Sequence, residues 1–201
     1  MSKVRQLVII GAGGHGKVVA DIARKQGYDL IRFLDDASVP GVEGRVSEFV
    51  RYLDHAEFFV AIGNSLVREK ITNTLLSKGA QVATLVHPNA VVADNVKIGK
   101  GTVIMAGAVI NTDTEIGDGV IINTCASVDH DCRIGSFVHV AVGAHVCGTV
   151  DIGEHTWIGA GATVINNIRV IGGCMVGAGA VIIDNIGIKG TYVGIPGKRI
   201  G

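Results

Sequence analysis

Reading every sixth residue from Val86 gives Val86, Val92, Ile98, Ile104, Ile110, Ile116, Ile122, Val128, Ile134, Val140, Val146, Ile152, Ile158, Val164, Val170 and Val176. All sixteen are Val or Ile. The two residue types make up about one position in four, so a run of this length would arise by chance on the order of once in a billion trials. A second small or β-branched set follows four residues after each, from Ala90, Val96, Thr102 and Ala108 through Ala162, Ile168, Cys174 and Ala180. Gly often comes directly after the aliphatic, as at Gly99, Gly117, Gly135, Gly153 and Gly159. This hexad pattern predicts a parallel β-helix with three flat faces per coil and inward positions at i and i+4. Sixteen hexads make about five coils, roughly 25 Å tall at the spacing of stacked strands.

A tube this thin explains a composition that is otherwise odd. Mean hydropathy is +0.43, yet only 4% of the 201 residues are aromatic and 18% are charged. A chain that apolar and that poor in charge is not a disordered one. Its longest apolar runs, such as Val103 to Ile110, fall well short of the ~20 residues that span a bilayer, so no membrane insertion is expected. Formal charge is zero, with eighteen residues of each sign and no Lys or Arg cluster, which argues against nucleic acid as a partner. The N-terminus carries no apolar signal-like segment. Cys125, Cys132, Cys147 and Cys174 have no CxxC spacing, so reduced thiols and a cytoplasmic location are expected.

Residues 1–85 read differently and form the first expected domain, with 86–201 the second. Strand-like Leu7–Ile10 runs into Gly11-Ala12-Gly13-Gly14-His15-Gly16 and then a helical pattern to about Lys25. A strand at 30–34 ends in Asp35-Asp36. A helix near 47–53, a strand at 58–62, a helix to about Ser77 and a strand at 82–86 complete a Rossmann-like βαβαβ unit. The spacing Gly11, Gly13, Gly16 suits a phosphate-binding loop at a helix N-terminus. Asp35 stands where an acidic residue commonly meets a ribose. A dinucleotide needs two such halves, ~150 residues, so one nucleotide with a diphosphate is favoured over NAD; the alternative is that the glycines only pack a helix on a sheet. His15 is either a surface residue or a donor to phosphate or sugar.

Within the repeat, His130 sits at position i+2, on the outer surface near a corner, flanked by Asp129 and Asp131. An imidazole beside a carboxylate is a candidate general base. One coil later, at 18 residues, stands Gly148, a position without a side chain whose amide could receive an oxyanion. His139 and His145 point outward. No cysteine stands out as a covalent nucleophile. Lys198 and Arg199, at the end of the last coil, are either a site for CoA phosphates or a solvated basic tail.

The stretches Gly11-Ala-Gly-Gly-His15-Gly16, Phe33-Leu-Asp35-Asp36, Ala61-Ile62-Gly63-Asn64, Asn123-Thr-Cys-Ala-Ser-Val-Asp-His130-Asp131 and Val193-Gly-Ile-Pro-Gly-Lys198-Arg199 together resemble the bacterial nucleotide-aminosugar N-acetyltransferases. The sialic-acid O-acetyltransferases are close relatives of that family. The resemblance covers essentially the whole chain. It implies a left-handed winding of the β-helix, against the usual right-handed crossover rule, and a homotrimer with acetyl-CoA between neighbouring prisms and a UDP-aminosugar held by the N-terminal domain. By position it makes His130 the catalytic base, Asp131 its supporting acid in place of the more frequent Glu, and Gly148 the amide facing the acetyl carbonyl. It places Asn123 on the substrate side, His139 near the cofactor, and Gly11, Gly13, Gly14, His15, Gly16, Asp35, Asp36, Ile62, Gly63 and Asn64 in the nucleotide-sugar site. Whether Asp129 or Asp131 orients the imidazole stays open. No metal is expected. Rival readings are a sialic-acid or other sugar O-acetyltransferase, a zinc enzyme using histidines such as His130, His139 and His145 across an interface, and a non-catalytic scaffold.

Overall fold

The computed structural model describes residues 4–200. The chain separates into two compact units, Met1–Pro88 and Asn89–Gly201.

In the first unit, β1 (Gln6–Ile10), β2 (Leu30–Leu34), β3 (Val42–Gly44), β4 (Glu57–Val60) and β5 (Gln81–Val82) form a parallel sheet in the order β3-β2-β1-β4-β5. β1 pairs with β2 on one side and β4 on the other. The chain therefore reverses direction across the sheet at β1, a switch point of the kind at whose C-terminal edge ligands commonly bind in open parallel sheets. α1 (Gly14–Lys25) buries Gly16, Val19, Ala20, Ile22 and Ala23, an i, i+3, i+4 stripe that explains why this segment is helical. α2 (Ser65–Ser77) begins where the Asn64 side chain accepts the Val67 amide at 3.1 Å. Val8, Ile10, Leu34, Phe58, Val60 and Leu75 share one core with Phe49. Three expectations shift. The helix read near 47–53 is a 3-10 helix at Val46–Tyr52. The strand read at 82–86 is two strands, Gln81–Val82 and Leu85–Val86, with a break between. β3 was not anticipated; it is three residues long and only half-buried, so no periodicity marks it.

In the second unit, two-residue strands recur every six residues from Val91–Val92 to Val181–Ile182. From Val91–Val92 to Thr163–Val164 each pairs in parallel with the strand 18 residues on, as Glu115–Ile116 does with Arg133–Ile134. Three sheets result. The period carries one hexad beyond Val176, to buried Ile182. The i and i+4 sets are buried from Ile104 and Thr102 onward, with Val92 and Ile98 only half-buried. Three inward positions are threonines, and their hydroxyls are satisfied. Thr114, for example, donates to the Asp129 carbonyl at 2.7 Å and accepts the Cys132 amide at 3.2 Å.

Each corner turns on a residue with left-handed φ, at every sixth position from Gly101 to Gly179. Asp113, Cys125, Asp131, Phe137, Thr149, His155 and Asn167 hold that conformation without being glycine. The glycines directly after the aliphatics have another role: a Cβ on Gly117 would lie 2.7 Å from the Ser136 nitrogen of the next coil. They permit close stacking rather than the turn. One face alternates Lys97, Glu115, Arg133, Asp151 and Arg169, with Lys97 to Glu115 at 2.7 Å and Arg169 to Asp151 at 3.5 Å. No helix among the described residues is long and apolar enough to cross a membrane.

Candidate active site

The four loop glycines of the first unit divide into two pairs. A Cβ on Gly11, whose φ is +106°, would lie 2.8 Å from the Ala61 carbonyl oxygen, and one on Gly16 would collide with the carbonyl of Gly11. These two let α1 and the 61–64 loop close on β1. At Gly13 and Gly14 a Cβ would meet nothing within 4 Å. The N-terminus of α1, which has no side-chain cap, therefore faces open space across this pair. A helix packed on a sheet requires Gly11 and Gly16 but not Gly13 and Gly14; an anion against the helix amides uses both.

Asp35 braces this loop. Its carboxylate accepts the Ala12 amide at 2.8 Å and the Ala37 amide at 2.9 Å, and these two bonds hold its pKa below the usual carboxylate value. Asp36 accepts the Val46 amide at 3.0 Å. Ile62 and Gly63 lie between β4 and the Asn64 cap, and their carbonyls each accept 2.8 Å hydrogen bonds from Arg68 Nη1. Arg68, on α2, is 1% exposed. Sequence reasoning missed it because an arginine on a helix is expected at the surface; its position one turn after Gly63-Asn64 was the available signal. His15 Nε2 is buried with no hydrogen-bond partner. Burial first, and the Arg68 charge second, lower the His15 pKa to about 4, so the ring is neutral at pH 7.

In the second unit, His130 Nδ1 and Asp131 Oδ2 are 2.7 Å apart. Asp129 does something else: it accepts the His130 backbone amide at 2.9 Å and the Asn111 side chain at 2.7 Å. Asp131 thus holds the ring and Asp129 the backbone beneath it. The hydrogen bond to Asp131, reinforced by the charge of Asp129, raises the His130 pKa above its ordinary value. Asp131 is one of the left-handed corner residues, with φ of 57°, a conformation Asp tolerates better than most side chains. The other ring nitrogen faces Gly148, where a Cβ would lie 2.6 Å from His130 Nε2. Only glycine at 148 leaves that nitrogen open.

Asn123 and His139 meet on a different sheet. The Asn123 amide nitrogen lies 3.0 Å from His139 Nε2, and the His139 ring packs on Trp157 with centroids 4.5 Å apart. Trp157, also missed, lies 18 residues beyond His139, the coil period that would have found it. His145 Nδ1 is 2.8 Å from Ser127 Oγ. Cys132 and Cys174 are buried, which raises both thiol pKa values and disfavours nucleophilic thiolates. Lys198 and Arg199 lie on an exposed strand paired antiparallel with Thr191–Val193, and Arg199 Nε donates to the Lys189 carbonyl at 3.3 Å. No group of three His, Cys, Asp or Glu among the described residues could hold a metal.

Residues 6–75 match the PglD N-terminal domain, and residues 83–112 match the bacterial transferase hexapeptide (six repeats). The acetyltransferase domain of PglB from Neisseria gonorrhoeae is 42% identical, with a TM-score of 0.93 over 98% of this chain and 100% of that one. The chain belongs to the bacterial nucleotide-aminosugar N-acetyltransferase family. Another member, a histidine-to-alanine variant of GDP-perosamine N-acetyltransferase from Caulobacter crescentus solved with CoA and GDP-perosamine, is 35% identical with a TM-score of 0.92, over 98% of each chain. A curated family member, UDP-N-acetylbacillosamine N-acetyltransferase of Bacillus subtilis, is 34% identical over 113 residues, 51% of this chain and 52% of that protein. The chain spans about half the length of the curated relatives it matches.

Proposed function

We propose that this protein transfers the acetyl group of acetyl-CoA to the 4-amino group of a UDP-linked amino-dideoxy sugar, by direct transfer with His130 as general base. The observation that carries the reading is the corner at His130. A carboxylate holds one ring nitrogen at 2.7 Å, and the other is kept open by the missing side chain at Gly148. That nitrogen takes a proton from the sugar amine as the amine attacks the thioester carbonyl. The Gly148 amide receives the oxyanion of the tetrahedral intermediate. Collapse breaks the carbon–sulfur bond, and the imidazolium returns its proton to the CoA thiolate, so the balance closes with amide and free thiol. Gly13, Gly14 and His15 take the diphosphate, Asp35 and Asp36 the nucleoside, and Asn123, His139, Lys198 and Arg199 serve the acceptor and CoA. The catalytic assembly is a homotrimer of left-handed β-helices in the cytoplasm, and no metal takes part.

Support comes from the family, whose Neisseria gonorrhoeae member was solved with acetyl coenzyme A and whose Caulobacter crescentus member was solved with CoA and GDP-perosamine. The test is free-thiol release from acetyl-CoA with a panel of UDP- and GDP-linked 4-amino sugars. Turnover with a UDP-4-amino sugar, lowered ~10²- to 10⁴-fold by His130→Asn, is expected. Transfer only to a sugar hydroxyl, or undiminished turnover by His130→Asn, would contradict the proposal.

A further inference from the structure

The glycine loop follows β1 and the 61–64 loop follows the neighbouring β4, and a buried cation stands beside the second. Arg68 enters from α2, is 1% exposed, and clamps the carbonyls of Ile62 and Gly63 with a single nitrogen at 2.8 Å each. Those residues continue from Ala61, whose carbonyl would lie 2.8 Å from a Cβ on Gly11, so the clamp presses one loop on the other. On the same side, His15 leads α1 with Nε2 buried and unpartnered.

Resting on the nucleotide-sugar reading, we infer that Arg68 is a positioning residue of the diphosphate site, which fixes the two loops and places a buried positive charge beside them. The guanidinium stays charged, since burial lowers its pKa only to about 10. The charged side chains of α1 are Lys17, Asp21, Arg24 and Lys25, those of α2 are Arg68, Glu69 and Lys70, and Asp35 follows β2. Asp35 is engaged by the Ala12 and Ala37 amides, and burial lowers the His15 pKa first, with the Arg68 charge second. Removing that charge and its clamp on the 61–64 loop lowers diphosphate affinity.

The experiment uses Arg68→Met and Arg68→Lys in the full chain, with UDP-glucose and GDP-mannose as probes because their diphosphates do not titrate between pH 6 and 8. Wild type should bind a probe with flat pH dependence over that range. Arg68→Met should bind about tenfold more weakly across that range, and Arg68→Lys should retain most of the affinity. In turnover the loss should fall on KM for the nucleotide sugar rather than on KM for acetyl-CoA. Should Met at 68 prevent folding, Arg68→Gln decides: a folded protein with severalfold weaker probe binding supports the role of Arg68, and binding equal to wild type overturns it. Normal probe binding by wild type with an equally tight, pH-flat Arg68→Met overturns the role of Arg68 alone. Failure of wild type to bind either probe overturns it together with the nucleotide reading.

Discussion

Gly148→Ala places one methyl group at the point where the account is most exposed. The new Cβ would lie 2.6 Å from His130 Nε2, 2.7 Å from Cε1 and 3.2 Å from Cδ2, against an ordinary contact near 3.5 Å. Gly148 is not among the glycines with left-handed φ, so alanine fits the backbone and the substitution acts through space rather than strain. The ring must retreat by about 0.9 Å, and it is tethered by the 2.7 Å bond to Asp131. It therefore either breaks that bond or carries it out of line. A displacement near 1 Å of a catalytic group costs ~10²-fold, or about 2.7 kcal/mol of transition-state stabilisation. The assay is kcat/KM from thiol release with acetyl-CoA and a nucleotide 4-amino sugar, alongside Tm. The expected result is a loss of ~10²-fold with Tm shifted by no more than a few degrees. Full activity in a folded Gly148→Ala protein would show that the Nε2 side of His130 is not where the acceptor reacts.

Two further outcomes follow from the same geometry. The hydrogen bond to Asp131 raises the His130 pKa, and the base acts in its neutral form, so activity should rise with pH through a midpoint above 6.5; in Asp131→Asn that midpoint should move to lower pH and the plateau should fall. An unchanged profile would assign the ring's partner elsewhere. In the glycine loop, Gly16→Ala should lower Tm and impair folding because its Cβ meets the Gly11 carbonyl, whereas Gly13→Ala, with nothing within 4 Å, should keep Tm and weaken nucleotide binding in calorimetry.

Much of this architecture is legible in the residues because its period is rigid. A hexad repeated from Val86 leaves no other regular fold for its aliphatics, and the coil period of 18 places Gly148 over His130 before any coordinates are known. What period does not carry is conformation at a single residue. Phe137 and His155 turn corners with φ near 60°, where sequence reasoning looks for glycine, and their rings stack across the coils at 5.6 Å. The choice between Asp129 and Asp131 rests on a corner that sends one carboxylate to the backbone and the other to the ring, a difference of orientation between residues of one type. Arg68 was illegible for a different reason: its burial depends on the loop carbonyls that α2 meets, a tertiary fact. In the first unit, the break between Gln81–Val82 and Leu85–Val86 was hidden because Ala83 and Leu85 are as buried as strand residues.

The central claim is that the His130 corner forms an amide on a nucleotide-linked sugar. Its most direct measurement is NMR of the product from acetyl-CoA and a UDP-4-amino sugar, comparing wild type with His130→Asn. An acetyl group on the C4 nitrogen, formed by wild type and nearly absent with the variant, is the predicted result. An O-acetyl product, or equal product from both proteins, would contradict it.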